Sequence, residues 1–136
     1  MSAAGNVSVI DDDDSVRRAL GGLIRSLGYN VVTFASAEEY LDSGRLLDTS
    51  CLITDVHMPG ISGIELQERL ARDGHRTKII FITGYDEEAL RVRAMQAGAV
   101  CFLKKPFDDD WLVECIDRAF ESADTGTAKN LQGPFG

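Results

Sequence analysis

No apolar run in the sequence approaches the roughly 20 residues needed to cross a bilayer as a helix. The first residues, Met1 to Val7, are small and polar and lack the basic-then-apolar pattern of a signal peptide. Positive charge is scarce too. Fourteen Lys and Arg stand against 22 Asp and Glu, a net charge of −8. Phosphate backbones need a basic face, so direct nucleic-acid binding by this domain is not expected. A DNA-binding domain elsewhere in a longer parent stays compatible with that charge. Cysteine is limited to Cys51, Cys101 and Cys115, an odd number with no metal-ligand spacing. Each lies in an apolar stretch, which reads as reduced, buried thiols of a cytoplasmic protein with no membrane contact.

What is present is one domain's worth of alternating pattern. The 136 residues suffice for a single core. Short β-branched or apolar runs fall at Val7–Ile10, Val31–Phe34, Cys51–Thr54, Ile79–Ile82 and Cys101–Leu103. Continuous apolar runs of this length suit strands covered on both faces of a parallel sheet. Between them lie helical patterns. The first runs from about Ser15 to Leu27, with Gly28 as its left-handed cap. Ser36 and Glu39 read as a capping box opening a second. A third spans about Gly63 to Arg72, and a fourth about Glu87 to Ala97. The fifth starts after Asp108, with Trp111, Leu112, Cys115, Ile116 and Ala119 as its inner stripe. Five β-α repeats predict an α/β fold, a doubly wound, five-stranded parallel sheet with right-handed crossovers. The domain is expected over 6–121. Residues 122–136, rich in Gly, Thr, Asn and Gln, read as a tail or the start of an interdomain linker.

In such sheets ligands bind beyond the carboxyl ends of the strands. Asp11, Asp12, Asp13 and Asp14 follow the first strand, Asp55 the third, Thr83 the fourth, and Lys105-Pro106 the fifth. Carboxylates gathered without compensation need a cation, and oxygen-only ligands point to a hard ion such as Mg2+. No His or Cys set is arranged for zinc. A carboxylate is also a nucleophile towards phosphorus, giving an aspartyl phosphate. Catalysis of that step is largely positioning and charge neutralisation. Asp13 and Asp14 fit better as residues favoured at a helix start by its dipole than as ligands. His57 reads as a rim residue facing solvent or tuning hydrolysis, and His75 as a turn residue without a role. Pro59-Gly60 and Gly63 read as formers of the loop over the site.

Four segments, Val9-Ile10-Asp11-Asp12, Asp55-Val56-His57-Met58-Pro59-Gly60, Thr83-Gly84 and Lys104-Lys105-Pro106-Phe107, together resemble the signatures of response-regulator receiver domains. The stretch Ala94-Met95-Gln96-Ala97-Gly98-Ala99 with Phe102 is similar to the FixJ-like subfamily, in which a LuxR-type helix-turn-helix usually follows. The resemblance implies a flavodoxin-like (CheY-like) sheet of order 2-1-3-4-5 and phosphoryl transfer from a histidine kinase or phosphotransfer protein. It implies Asp55 as phosphoacceptor and Mg2+ ligand, with Mn2+ able to substitute. Asp12 would be a direct ligand, Asp11 would hold metal-bound water, and the backbone carbonyl of His57 would complete the set. Thr83 and Lys105 would contact phosphoryl oxygens, with Lys104 solvated. Thr83 and Phe102 would form the switch, and Lys105-Pro106 would be cis. Beyond its own phosphorylation and dephosphorylation, no enzyme activity is expected.

Three alternatives stay open on the sequence. An aspartyl phosphatase of haloacid-dehalogenase type would want a second carboxylate where His57 stands, and a cap domain. A pseudo-receiver would have lost part of the acidic, hydroxyl and lysine set, all of which is present. A stand-alone regulator would act by protein contacts. The expected output face is built from the fourth helix, fifth strand and fifth helix. There Arg91 and Arg93 on the fourth helix and Asp110, Glu114 and Asp117 on the fifth offer charges that would match across a two-fold axis in a phosphorylation-enhanced homodimer.

Overall fold

A computed structural model describes residues 5–125. Ten elements alternate along the chain. They are β1 (Asn6–Ile10), α1 (Asp14–Ser26), β2 (Asn30–Phe34), α2 (Ala37–Leu41) and β3 (Cys51–Asp55). Then come α3 (Gly63–Arg72), β4 (Lys78–Thr83), α4 (Glu88–Gln96), β5 (Cys101–Lys104) and α5 (Asp109–Thr125). The five strands form one sheet in the order β2-β1-β3-β4-β5, and every neighbouring pair is parallel. The doubly wound α/β fold read from the alternation is therefore present, with each expected strand extended by one or two residues.

The central strands are apolar on both faces because both faces are covered. Val7, Val9, Ile53, Ile80, Ile82 and Leu103 pack with Leu20 and Ile24 of α1 and with Leu112, Ile116 and Ala119 of α5. The opposite face, with Ile10, Leu52 and Phe81, packs against α2, α3 and α4 through Tyr40, Leu66, Leu70 and Ala94. Apolar burial of this kind drives folding in proportion to the area removed from water. A hydroxyl chain closes one buried corner, where the Tyr40 OH donates to Thr49 Oγ1 at 2.9 Å and Ser8 Oγ lies 2.9 Å from the same oxygen.

Four details depart from the sequence-based expectation. Trp111 was placed on the inner stripe of α5 but is 39% exposed. Leu112, Cys115 and Ile116 point inward, and Trp111, one residue before Leu112, starts its turn at the outer edge of that stripe. The cysteines were expected as three thiols. Cys51 is free and buried, but Cys101 of β5 and Cys115 of α5 are joined as a disulfide. Their inward-facing positions on a packed strand and helix bring the sulfurs together across 14 residues of sequence. The capping box at Ser36 is half formed. Ser36 accepts from Glu39 N, but the Glu39 carboxylate accepts from Ala35 N. Helix α5 continues past Glu121 to Thr125, and the rest of the expected tail, 126–136, lies outside the described residues.

Candidate functional site

The carboxyl ends of β1, β3, β4 and β5 meet on one edge of the sheet. Asp55 is the last residue of β3 and only 7% exposed. Asp11, directly after β1, is fully buried, and Asp12 beside it is exposed. One carboxylate oxygen from each of Asp11, Asp12 and Asp55 lies within 4.8 Å of the others. Lys105 reaches across from the end of β5. Its Nζ donates to Asp11 Oδ2 at 3.0 Å and to Asp55 Oδ2 at 3.4 Å. Lys104, the alternative lysine, is exposed. The Lys105-Pro106 peptide is cis, as expected.

The surroundings explain why these groups stay in place. Asp13 caps α1, accepting from Ser15 N at 2.9 Å and Val16 N at 3.3 Å, which accounts for it as a helix-start residue. Asp14 lies in the first turn and pairs with Arg17 and Arg18. Asp11 Oδ1 accepts from Asp13 N at 2.9 Å, and Arg17 Nη1 donates to the Asp11 carbonyl at 2.8 Å. Gly63 opens α3 directly against β3. A Cβ there would collide with the Asp55 carbonyl oxygen, so the close approach requires glycine. Gly60, at φ 80°, turns the loop between them, and Glu38 of α2 accepts from Ile61 N at 3.1 Å.

Burial pushes the Asp55 carboxyl above its ordinary value, and the neighbouring Asp11 adds to the rise, while the Lys105 ammonium and the His57 N–H oppose it. For Lys105, burial works against the charged form, but the Asp11 and Asp55 carboxylates outweigh it and raise its value. Three carboxylates facing one ammonium leave the pocket negative. The all-oxygen set of Asp11, Asp12 and Asp55 is of the kind that fits a hard divalent cation.

Thr83 ends β4, and its hydroxyl accepts from Tyr85 N at 3.1 Å. It is 1% exposed. Its carbonyl accepts from Lys105 N at 2.7 Å, which ties the ends of β4 and β5. Phe102 is half-buried on β5, its ring 5.9 Å from that of Phe81. The His57 N–H lies 3.4 Å from Asp55 Oδ1, while its ring turns to the rim. There Nε2 is 2.7 Å from Glu87 Oε1, and the ring meets Tyr85 edge-on at 4.8 Å. Glu87 and Tyr85 had not been singled out. Their partner lies some 30 residues away, and no local pattern announces the contact. His75 sits in the turn after α3, its N–H donating to the Leu70 carbonyl at 2.9 Å, and takes no part in the site.

A parallel five-stranded α/β domain with an acidic pocket and a lysine at its strand ends has the form of a doubly wound domain with a polar ligand site at the switch point of its sheet. The family model for the response regulator receiver domain matches residues 7–117, and the chain belongs to that family. The chain is 49% identical over 115 residues to nodulation protein W of Bradyrhizobium diazoefficiens, covering 85% of this chain and 51% of that protein. It is 42% identical over 131 residues to the transcriptional regulatory protein FixJ of Azorhizobium caulinodans, covering 96% and 62%. The crystal structure of full-length FixJ from B. japonicum superposes with a TM-score of 0.82 at 39% identity, covering 92% of this chain and 62% of that one. The chain thus spans between half and two thirds of the length of these relatives. Receiver domains of two-component systems bind Mg2+ at an acidic pocket, and Asp11, Asp12 and Asp55 form such a cluster here.

Proposed function

We propose that Asp55 accepts a phosphoryl group from a histidine kinase or phosphotransfer protein and that the modified domain acts through the α4-β5-α5 face. What carries the reading is the position of Lys105, whose ammonium touches both Asp11 and Asp55 and so marks where negative charge gathers. An Asp55 carboxylate oxygen attacks phosphorus in line with the departing donor atom. The new P–O bond forms as the bond to the donor breaks. Lys105 moves from neutralising two carboxylates to neutralising a phosphoryl oxygen. The Thr83 hydroxyl, now an acceptor from Tyr85 N, donates its free proton to another oxygen. Asp12, Asp55 and the His57 carbonyl would hold Mg2+, and Asp11 a metal-bound water. When bound, the ion offsets charge on the transferring group. Hydrolysis of the acyl phosphate by water returns Asp55 to its starting state, and no other substrate is turned over.

The movement of Thr83 leaves space for the Phe102 ring, which biases a two-state surface on α4, β5 and α5. The chain is similar to FixJ, named a transcriptional regulatory protein, which supports reading 6–121 as a receiver unit that serves transcriptional control in the cytoplasm through a LuxR-type output domain. Phosphorylation-enhanced homodimerisation through the same face completes the reading. Its charge complementarity is weaker than the sequence suggested, because Arg91 pairs with Glu88 at 2.7 Å and Arg93 with Glu68 of α3. Exposed pairs of this kind are screened by water and contribute little.

Acetyl phosphate with Mg2+ tests the proposal. Wild-type protein should gain the mass of one phosphoryl group, and Asp55→Asn, excess chelator or Lys105→Ala should each remove nearly all of it. Undiminished labelling of Asp55→Asn would overturn the assignment.

A further inference from the structure

Cys101 and Cys115 sit on the two elements that form one edge of the domain. Cys101 opens β5, which among the described residues pairs with β4 alone, and Cys115 lies midway along α5. Both are fully buried in the same cluster, and their Cα atoms are 6.1 Å apart. That separation falls inside the roughly 4.4–6.8 Å span a disulfide requires. The loop they close, 101–115, holds Phe102 and Lys105. We infer that Cys101 and Cys115 form a reversible thiol–disulfide couple, a modification site that clamps the loop carrying Phe102 and Lys105 when oxidised.

The oxidant class is a peroxide. One thiolate attacks hydrogen peroxide, giving a sulfenic acid and hydroxide. The partner thiol then displaces the sulfenic oxygen as water, so two thiols and one peroxide become one disulfide and two waters. A dithiol reverses the change by exchange, its own two sulfurs becoming the oxidised pair. Neither sulfur is exposed, so both reactions run through local opening of the β5–α5 edge. Cys51 supplies an internal contrast. It has no partner sulfur, and burial pushes its thiol up to about 12, so it stays protonated and unreactive. The disulfide fixes the short edge strand to the helix packed on it. In the reduced protein that junction rests on the apolar packing of Leu103 with Leu112 and Ile116.

Any consequence for signalling rests on the reading of Asp55 and Phe102, but the couple itself does not, and it is tested without phosphoryl chemistry. Protein treated with hydrogen peroxide or with dithiothreitol is denatured and alkylated, and its linked peptides are mapped. Three thiols should react after reduction and one, Cys51, after oxidation, with Cys101 joined to Cys115. Amides of 101–115 should exchange about tenfold more slowly in the oxidised form, with 63–72 unchanged. Peroxide-treated Cys115→Ala should show no such slowing. Three reactive thiols after oxidation, a link through Cys51 or between chains, or equal exchange in both forms would overturn the inference. Acetyl phosphate labelling of both forms then separates the readings. Loss of labelling in each alike would count against Asp55 and leave the thiol result standing.

Discussion

Helices α3 and α4 pack on the same face of the sheet, one on each side of the groove beside the acidic pocket, and they are held very differently. Helix α3 buries Ile64, Leu66, Gln67 and Leu70. It opens with a complete capping box, in which Ser62 accepts from Glu65 N at 3.1 Å and Glu65 accepts from Ser62 N at 2.9 Å. Its first residue, Gly63, rests against the backbone of Asp55. Helix α4 buries Ala94 alone, with Leu90 and Met95 half-covered, and its N-cap Glu87 makes no side-chain cap bond. Gln67 links the two by donating to the Ala94 carbonyl at 3.1 Å, and its Oε1 has no partner among the described residues. The difference teaches where a signal can travel. Helix α3, which touches the acceptor, is held by its cap and its buried face, whereas helix α4 has less of both, the low-burial kind of element in which local opening costs least.

The comparison breaks if the two helices respond alike to matched substitutions. Leu66→Ala, at a fully buried site, should cost about 2–5 kcal/mol, whereas the half-buried Leu90→Ala should cost under about 1.5 kcal/mol. Urea midpoints at constant slope read both. Gly63→Ala should cost roughly 1–3 kcal/mol, because the new methyl meets backbone that cannot rotate aside. It should also lower labelling of Asp55. Ser62→Ala should cost about 1 kcal/mol through loss of the cap. Glu87→Ala, which removes only a rim contact to His57, should stay within about 0.5 kcal/mol.

A smaller effect belongs to the pocket itself. The folded-state value of Asp55 lies above its ordinary 3.8, so the folded state binds that proton more tightly. Stability from this group is present at acid pH and is lost as pH rises through the folded value. In chelator at neutral pH, Asp55→Asn should therefore be more stable than wild type, and the gap should shrink as pH falls towards 4. An equal gap at both pH values would contradict the sign.

Much of this was legible in the residues. Strands buried on both faces leave unbroken apolar runs, so Ile79–Ile82 declared itself, and Asp55 and Thr83 could be placed at strand ends by the same logic. Gly28 marked the end of the first helix, and it adopts the positive φ such a cap requires. Contacts made across the fold left no local trace. The Cys101–Cys115 link depends on which face of α5 meets β5, and the His57–Glu87 contact on how two loops meet. Trp111 was misplaced because an apolar stripe defines a helix face only to within a residue at its margin. The Ser62–Glu65 box is legible in the sequence as a serine followed three residues later by a glutamate.

The central claim is that chemistry at Asp55 is read out at α4 and β5 and not at α3. Amide hydrogen exchange of the protein with Mg2+, with and without beryllofluoride as a phosphoryl mimic, tests it most directly. Protection should change across 88–104, Phe102 included, while 63–72 keeps its rates. Unchanged exchange throughout 88–104, or a change confined to 63–72, would contradict it.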